Sequence, residues 1–338
     1  MTRSRNTSIV FVASTGGHLV ELLALSERLP VPADEALWVT FDTPQSRSLL
    51  SGRDVRFVRY AGPRDVMGAL VNAAAATRIV RSRPLTHAFS TGASIAGSFL
   101  PVAAAHGIEA HYLESATRIL GPSLTGRLLR LVPGVHLHSQ SPAWADGTWP
   151  YAGSVFDGFV GVQGPPTPVR RVVVTVGSLA GFGFRRLVER LMDILPPDAD
   201  VTWQIGATDV AGLGITRARA TLPAHELQAE LCRADVVVAH AGVGTALSAL
   251  VAGRTPLLVP REQAYGEHVD DHQSQIASEL QARGLAVARR VSDLDASDLV
   301  LAGNRRVQRA VSPPPLDLAT LTRRRRRPSD RSHRAPLR

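Results

Sequence analysis

An apolar run that breaks at a glycine turn and continues as a helix occurs in each half of this chain, and this repetition constrains the fold more than any other feature. In the first half, residues 9–13 (Ile-Val-Phe-Val-Ala) lead into Ser14-Thr15-Gly16-Gly17-His18 and a helix over 18–29, whose Val20, Leu22, Leu23 and Leu25 supply an apolar face. In the second, the strand at 236–238 leads into His240-Ala241-Gly242-Val243-Gly244-Thr245 at the start of another helix. Each turn opens an alternation of apolar runs with helical segments. Strands are expected at 36–40, 55–60, 86–90, 109–113 and 135–139, with helices at 65–81 and 93–106 between them. A second series follows, with strands at 171–176, 201–205, 236–239, 256–259 and 285–288 and helices at 184–195, 227–232, 244–252 and 271–283. Such alternation implies parallel, doubly wound sheets. A length of 338 residues suits two domains of roughly 150 residues each.

The sequence therefore divides into residues 1–160, a linker at 161–170 closed by Gly164, Pro165, Pro166 and Pro168, a second domain at 171–311, and a tail at 312–338. The tail reads as a disordered basic arm. Its residues 323–338 hold eight Arg and one Asp and so carry +7 of the formal +9, which leaves the rest of the chain almost neutral. Without basic–aromatic interleaving, that distribution argues against nucleic-acid binding. Cys232 is the only cysteine, which excludes an internal disulfide or a thiolate zinc cluster and fits a reducing compartment. No run reaches the roughly 18 apolar residues of a spanning helix. The expectation is a cytoplasmic protein, peripheral at the inner face of the plasma membrane, with the arginine arm attracted to anionic headgroups.

Two Rossmann-like domains bind ligands between them, at the carboxyl ends of their strands, so the two glycine turns are expected to face each other across a cleft. A helix N-terminus after a glycine turn offers N–H groups and a favourable dipole to a diphosphate. The order of motifs sharpens this. His240-Ala241-Gly242-Val243-Gly244-Thr245 is followed by Pro256-Leu257-Leu258-Val259-Pro260, and then by Gly266-Glu267-His268-Val269-Asp270-Asp271-His272-Gln273. Over about residues 170–290 this resembles the donor-binding domain of family 28 glycosyltransferases. In the first half, Ser14–His18 joins Tyr112-Leu113-Glu114-Ser115-Ala116-Thr117-Arg118-Ile119 and Pro122-Ser123-Leu124-Thr125-Gly126. That set resembles the acceptor subunit of the dolichol-linked UDP-N-acetylglucosamine transferase and bacterial exopolysaccharide and capsule transferases. The chain is thus similar to both subunits fused, acceptor half first.

The resemblance implies a GT-B fold and an inverting glycosyltransferase that moves a hexose from a UDP-sugar to a lipid-linked saccharide, with the UDP-sugar as substrate and no cofactor. It implies a diphosphate held at Gly242, Gly244 and Thr245, with His240 beside them and the turn at Gly177 and Ser178 facing them, and hexose hydroxyls met by His272 and Gln273. Ser248 stands where many relatives carry an acid for the ribose; Glu267 or Asp271 is the expected substitute. Gly16, Gly17, Ser115 and Arg118 are expected to hold the acceptor. An inverting transfer needs a base for the acceptor hydroxyl. His18 is the first candidate, because its ordinary pKa of about 6.5 suits neutral pH; Glu114 is the second. A Glu114–Arg118 helical ion pair is the plainer alternative. Asp293-Leu294-Asp295 lies too late in the chain for a donor-metal motif, and His268 and His272 lack a third ligand at a known spacing, so no metal is expected. Two other functions share this plan: a UDP-sugar 2-epimerase and a non-catalytic scaffold or enhancer subunit.

Overall fold

The computed structural model describes residues 8–29, 35–62, 65–177, 181–268 and 272–318. The first half runs β1 (Ile9–Val12), α1 (Gly17–Ser26), β2 (Leu37–Phe41), α2 (Pro44–Leu49), β3 (Asp54–Val58), α3 (Val66–Ser82), β4 (His87–Ser90), α4 (Ser94–Ala105), β5 (Glu109–Leu113), α5 (Leu124–Leu129) and β6 (Val135–His138). The second runs β7 (Phe159–Gln163), β8 (Arg171–Thr175), α6 (Arg185–Ile194), β9 (Asp200–Gln204), β10 (Ala218–Arg219), α7 (Ala224–Arg233), β11 (Val236–His240), α8 (Val243–Val251), β12 (Leu257–Val259), α9 (His272–Ala282), β13 (Val287–Ala288), α10 (Ala296–Gly303) and β14 (Arg305–Arg309).

The two large sheets repeat one topology. The first is ordered β3-β2-β1-β4-β5-β6 and the second β10-β9-β8-β11-β12-β13, with every neighbouring pair parallel. Helices cover both faces, so β1 (Ile-Val-Phe-Val) is buried at every residue, as is β2. Strand order reverses between β1 and β4 in one sheet and between β8 and β11 in the other. Loops diverge there and leave a crevice at the carboxyl ends of the strands.

The halves share a core. Leu19, Leu22 and Leu25 of α1 belong to the same buried apolar cluster as Val243, Leu247 and Leu250 of α8 and Ile276 and Leu280 of α9. At their N-termini α1 and α8 meet backbone to backbone. A Cβ on Gly244 would lie 2.8 Å from the Gly17 Cα, and one on Gly17 would lie 3.3 Å from the Gly244 nitrogen. Glycine at both positions is therefore what lets the two turns touch.

Part of the expected linker is ordered sheet: β7 pairs antiparallel with β14, Gly161 opposite Val307. Periodicity could not show this, because β14 is Arg-rich and β7 is flanked by glycines. The first residues of the expected basic arm are likewise packed. Leu316 and Leu318 are buried in the shared core, Arg28 donates from Nη2 to the Pro314 carbonyl at 2.7 Å, and the Asp317 amide donates to the Ala152 carbonyl at 3.0 Å. The chain thus crosses back onto the first half before residue 318. The arginine run at 323–327 lies outside the described residues. Residues 114–123 form a loop, so Glu114 and Arg118 do not share a helix. Asp295, by contrast, caps α10 by accepting from the Ser297 amide at 2.7 Å.

Candidate functional site

The crevice between the two switch points holds a cavity of about 560 Å³. Its wall comes from Thr15, Gly16 and Gly17 on the first glycine turn, Gln45 and Tyr60 beside it, and Gly177, His240, Gly242, Gly244, Thr245 and Ser248 on the facing domain. Both flanking helices start without a side-chain cap, at Gly16 and at Gly242. An uncapped helix start leaves N–H groups for an anion, and two such starts meet here. Gly16 adopts φ 83°, open only to glycine at ordinary cost, and donates its own amide to Gln45 Oε1 at 2.9 Å.

His240 closes the floor. Its Nδ1 lies 3.4 Å from the Thr175 carbonyl, which can only accept, so Nδ1 carries the proton and Nε2 the lone pair. A Cβ on Gly177 would come within 2.7 Å of that Nε2, and one on Gly242 within 2.4 Å. Burial, and then the charge of Arg261, push the His240 imidazole down to about 4, so it is neutral at pH 7. Ser248 turns its hydroxyl back to the Gly244 carbonyl at 2.9 Å.

His18 is not part of that wall. It stands at the start of α1 and faces the second loop of the switch point, after β4. Its Nδ1 donates to the Thr91 carbonyl at 3.0 Å, while the Thr91 hydroxyl donates back to the His18 carbonyl at 2.9 Å. This fixes the tautomer with the lone pair on Nε2. Burial, with a smaller contribution from the Arg118 charge, holds its pKa below the ordinary histidine value. Gly92, at φ 126°, leaves room for the ring: a Cβ there would lie 3.1 Å from His18 Cε1 and 3.2 Å from the Tyr112 hydroxyl. Arg118 reaches across the cleft, where its Nη1 donates to His272 Nε2 at the start of α9. His18, Arg118 and His272 thus flank the side of the crevice next to the glycine turns.

Glu114 is buried, and both its oxygens are occupied. Oε1 accepts from the Tyr112 hydroxyl at 3.0 Å, and Oε2 accepts from the Ser123 amide at 2.9 Å and the Ser123 hydroxyl at 3.0 Å. Burial raises its pKa. Its work is to fasten the 114–123 loop to the start of α5. Ser115 points inward as well: its hydroxyl donates to Glu21 Oε2 at 2.8 Å. Glu267 does not line the cavity. Its carboxylate takes a two-pronged contact from Arg186, Nε and Nη2 each at 3.0 Å, and accepts from the Glu262 amide at 3.0 Å, so it closes the 262–267 loop. Gln273 accepts from the Arg261 amide at 3.0 Å. Ser178 and Asp271 lie outside the described residues.

Three functional neighbours escaped sequence reasoning. Glu21, fully buried, accepts from Ser115, from the Ala116 amide at 2.7 Å and from Gln140 Nε2 at 2.6 Å, and burial lifts its pKa to about 7. A lone carboxylate in the otherwise apolar α1 was the available signal. Gln140 and Arg261 carried none, because each follows a strand as an unremarkable polar residue. Among the described residues no group of three or more His, Cys, Asp or Glu could hold a metal ion.

Residues 171–310 match the glycosyltransferase family 28 C-terminal domain. Over 334 residues the chain is 25% identical to the UDP-N-acetylglucosamine–N-acetylmuramyl-(pentapeptide) pyrophosphoryl-undecaprenol N-acetylglucosamine transferase of Burkholderia multivorans, covering 88% of this chain and 86% of that one. The crystal structure of Acinetobacter baumannii MurG superposes with a TM-score of 0.55 at 18% identity, covering 87% of this chain and 89% of its own. The glycosyltransferase SnogD of Streptomyces nogalater superposes with a TM-score of 0.56 at 20% identity, covering 88% and 92%. The chain is a glycosyltransferase of GT-B architecture whose residues 171–310 match the family 28 C-terminal domain.

Proposed function

We propose that this enzyme transfers a hexose from a UDP-sugar to a lipid-linked saccharide with inversion at the anomeric carbon, at the cytoplasmic face of a membrane. The observation that carries the reading is the meeting of two uncapped helix starts beside a neutral, tautomer-fixed His18. The donor diphosphate sits in the 560 Å³ cavity on the amides that follow Gly242, with Gly16 and Gly17 closing over it. His18 Nε2 takes the proton from the acceptor hydroxyl as its oxygen bonds to the anomeric carbon. The bond from that carbon to the β-phosphate oxygen breaks on the opposite face, and its electron pair leaves with UDP. The α8 amides and dipole stabilise the charge that develops there, so the reaction requires no divalent cation. Arg118, tied to His272, brings the acceptor loop against the hexose side of the donor domain.

The surface supports a lipid acceptor. Leu120, Leu124, Leu128 and Leu131 are exposed around α5, together with Val66, Met67 and Leu70 at the start of α3, and Arg127 and Arg130 interleave with the leucines. Isolated exposed apolar residues are ordinary, but a cluster of this kind next to the acceptor loop suits contact with a bilayer. No helix among the described residues is long and apolar enough to cross one. The assay is transfer from UDP-[14C]-sugars to an undecaprenyl-diphosphate-linked sugar in vesicles. Conversion of the donor without acceptor would assign the epimerase reading instead, and failure to bind any UDP-sugar would assign the scaffold reading.

A further inference from the structure

A diphosphate in this cavity meets no full positive charge on its wall: none of the described lining residues is Arg, Lys, Asp or Glu, and the imidazole there, His240, is neutral at pH 7. One layer beneath lies a cation with little to do. Arg261, two residues after β12, is among the largest fully buried side chains of the protein, 1% exposed. Its Nη2 donates to the Val176 carbonyl, the residue before Gly177, and its guanidinium lies 5.7 Å from the Phe184 ring centre. Among the described residues its Nε has no hydrogen-bond partner. Among the described residues no carboxylate pairs with it: nearby Glu267 is engaged by Arg186. A buried, unpaired guanidinium is costly to fold around, and the strands that position it, β8, β11 and β12, are those that end beneath the glycine turns.

We infer that Arg261 is a positioning residue that supplies, from below the His240 layer, the positive charge that the departing nucleoside diphosphate lacks on its own wall. This rests on the proposed donor reading. Its charge acts from a buried position, where it is less screened than at the surface. Its Val176 contact holds the Gly177 turn, and its amide fixes the orientation of the Gln273 side chain.

The test compares uridine with UDP by calorimetry on the full chain. In the wild type UDP binds tighter than uridine. In Arg261→Gln, which keeps a donor for the Val176 carbonyl, that preference falls about tenfold or more while uridine affinity is unchanged. The ligand-free thermal midpoint of the variant equals or exceeds that of the wild type, because an unpaired buried charge has been removed. Arg261→Lys, which keeps the charge, retains the preference. The NMR titration of His240 is a second readout that needs no ligand: it moves up in Arg261→Gln. A parallel loss of uridine and UDP binding with a lowered midpoint, an undiminished preference in Arg261→Gln, or an unmoved His240 overturns the inference. A wild type that does not prefer UDP to uridine would instead overturn the donor reading itself.

Discussion

At the scale of single residues, the account turns on two imidazoles held neutral by burial and oriented by carbonyls. His18→Ala is expected to lower kcat by about 10²–10⁴-fold with UDP affinity unchanged, as removal of a general base does; a loss of UDP binding alone would contradict it. The sign of the pH dependence follows from the depressed pKa. The base must be unprotonated, and its pKa lies below the ordinary histidine value, so kcat/KM stays flat through pH 7 and falls only on its acidic side. His18→Gln removes that acidic limb together with the activity. Gly242→Ala tests the floor: its Cβ would sit 2.4 Å from His240 Nε2, so the ring must move. A loss of UDP affinity is expected, read by calorimetry. The placement of these residues was legible in the sequence, since Gly-Gly-His and His-Ala-Gly-Val-Gly-Thr mark the two strand–helix turns that meet at the cavity. Which carboxylates are occupied was not. Glu114 and Glu267 read as site residues because an acid beside a motif looks available, and only the packed fold shows the donors that surround them.

At the scale of elements, β4, β5 and β6 set four histidines on one sheet face. His111 stacks on Phe89 at 4.9 Å, on His136 at 5.2 Å and on His138 at 5.4 Å, and its Nδ1 lies 3.2 Å from His138 Nε2. Glu109 lies 3.5 Å from His111 Nε2 and 3.6 Å from His87 Nε2. Burial pushes the His138 imidazole down to about 3 and lowers that of His111. Both groups bind protons more weakly in the fold than in the unfolded chain, where histidine titrates near 6.5. These two groups therefore contribute most stability above that value, and their contribution is lost as pH falls from about 6.5 toward 3; buried Glu21 and Glu114, whose pKa values are raised, act in the opposite direction. Between pH 7 and 4 the change in urea midpoint should be less unfavourable in His138→Leu than in the wild type; an equal change would show that the sheet face does not titrate. On the outer surface, replacing Leu124 and Leu128 of α5 by Gln should weaken sedimentation with anionic vesicles and leave transfer to a short-chain, water-soluble acceptor intact. Both leucines are exposed, so the thermal midpoint should change little. The strands and long helices of both sheets were legible, because their apolar runs are long and uninterrupted. The short α2 and α5, the edge strand β10 and the β7–β14 ribbon were not: their order comes from caps and neighbours, as when Ser123 caps α5 through the Gly126 amide at 3.0 Å.

At the scale of the whole molecule, the two sheets repeat one strand order, share one apolar core and place their switch points face to face, so the site exists only where the halves meet. The C-terminal segment strengthens that union. Truncation after residue 311 removes buried Leu316 and Leu318, each contributing about 2 kcal/mol by burial, and a lowered thermal midpoint is expected. Two facing Rossmann domains could be foreseen from the repeated strand–glycine–helix signal. The return of residues 313–318 onto the first half could not, because a proline-rich stretch before an arginine run carries no periodicity. The central claim is that the opposed glycine turns and His18 perform an inverting, metal-independent transfer. Its most direct test is the anomeric configuration of the product, determined by NMR after incubation with a UDP-sugar and a lipid-linked acceptor in the presence of EDTA. The account predicts a product whose configuration is opposite to that of the donor, formed at full rate without metal and abolished in His18→Ala. A product that retains the donor configuration, or one that forms only when a divalent cation is restored, would contradict it.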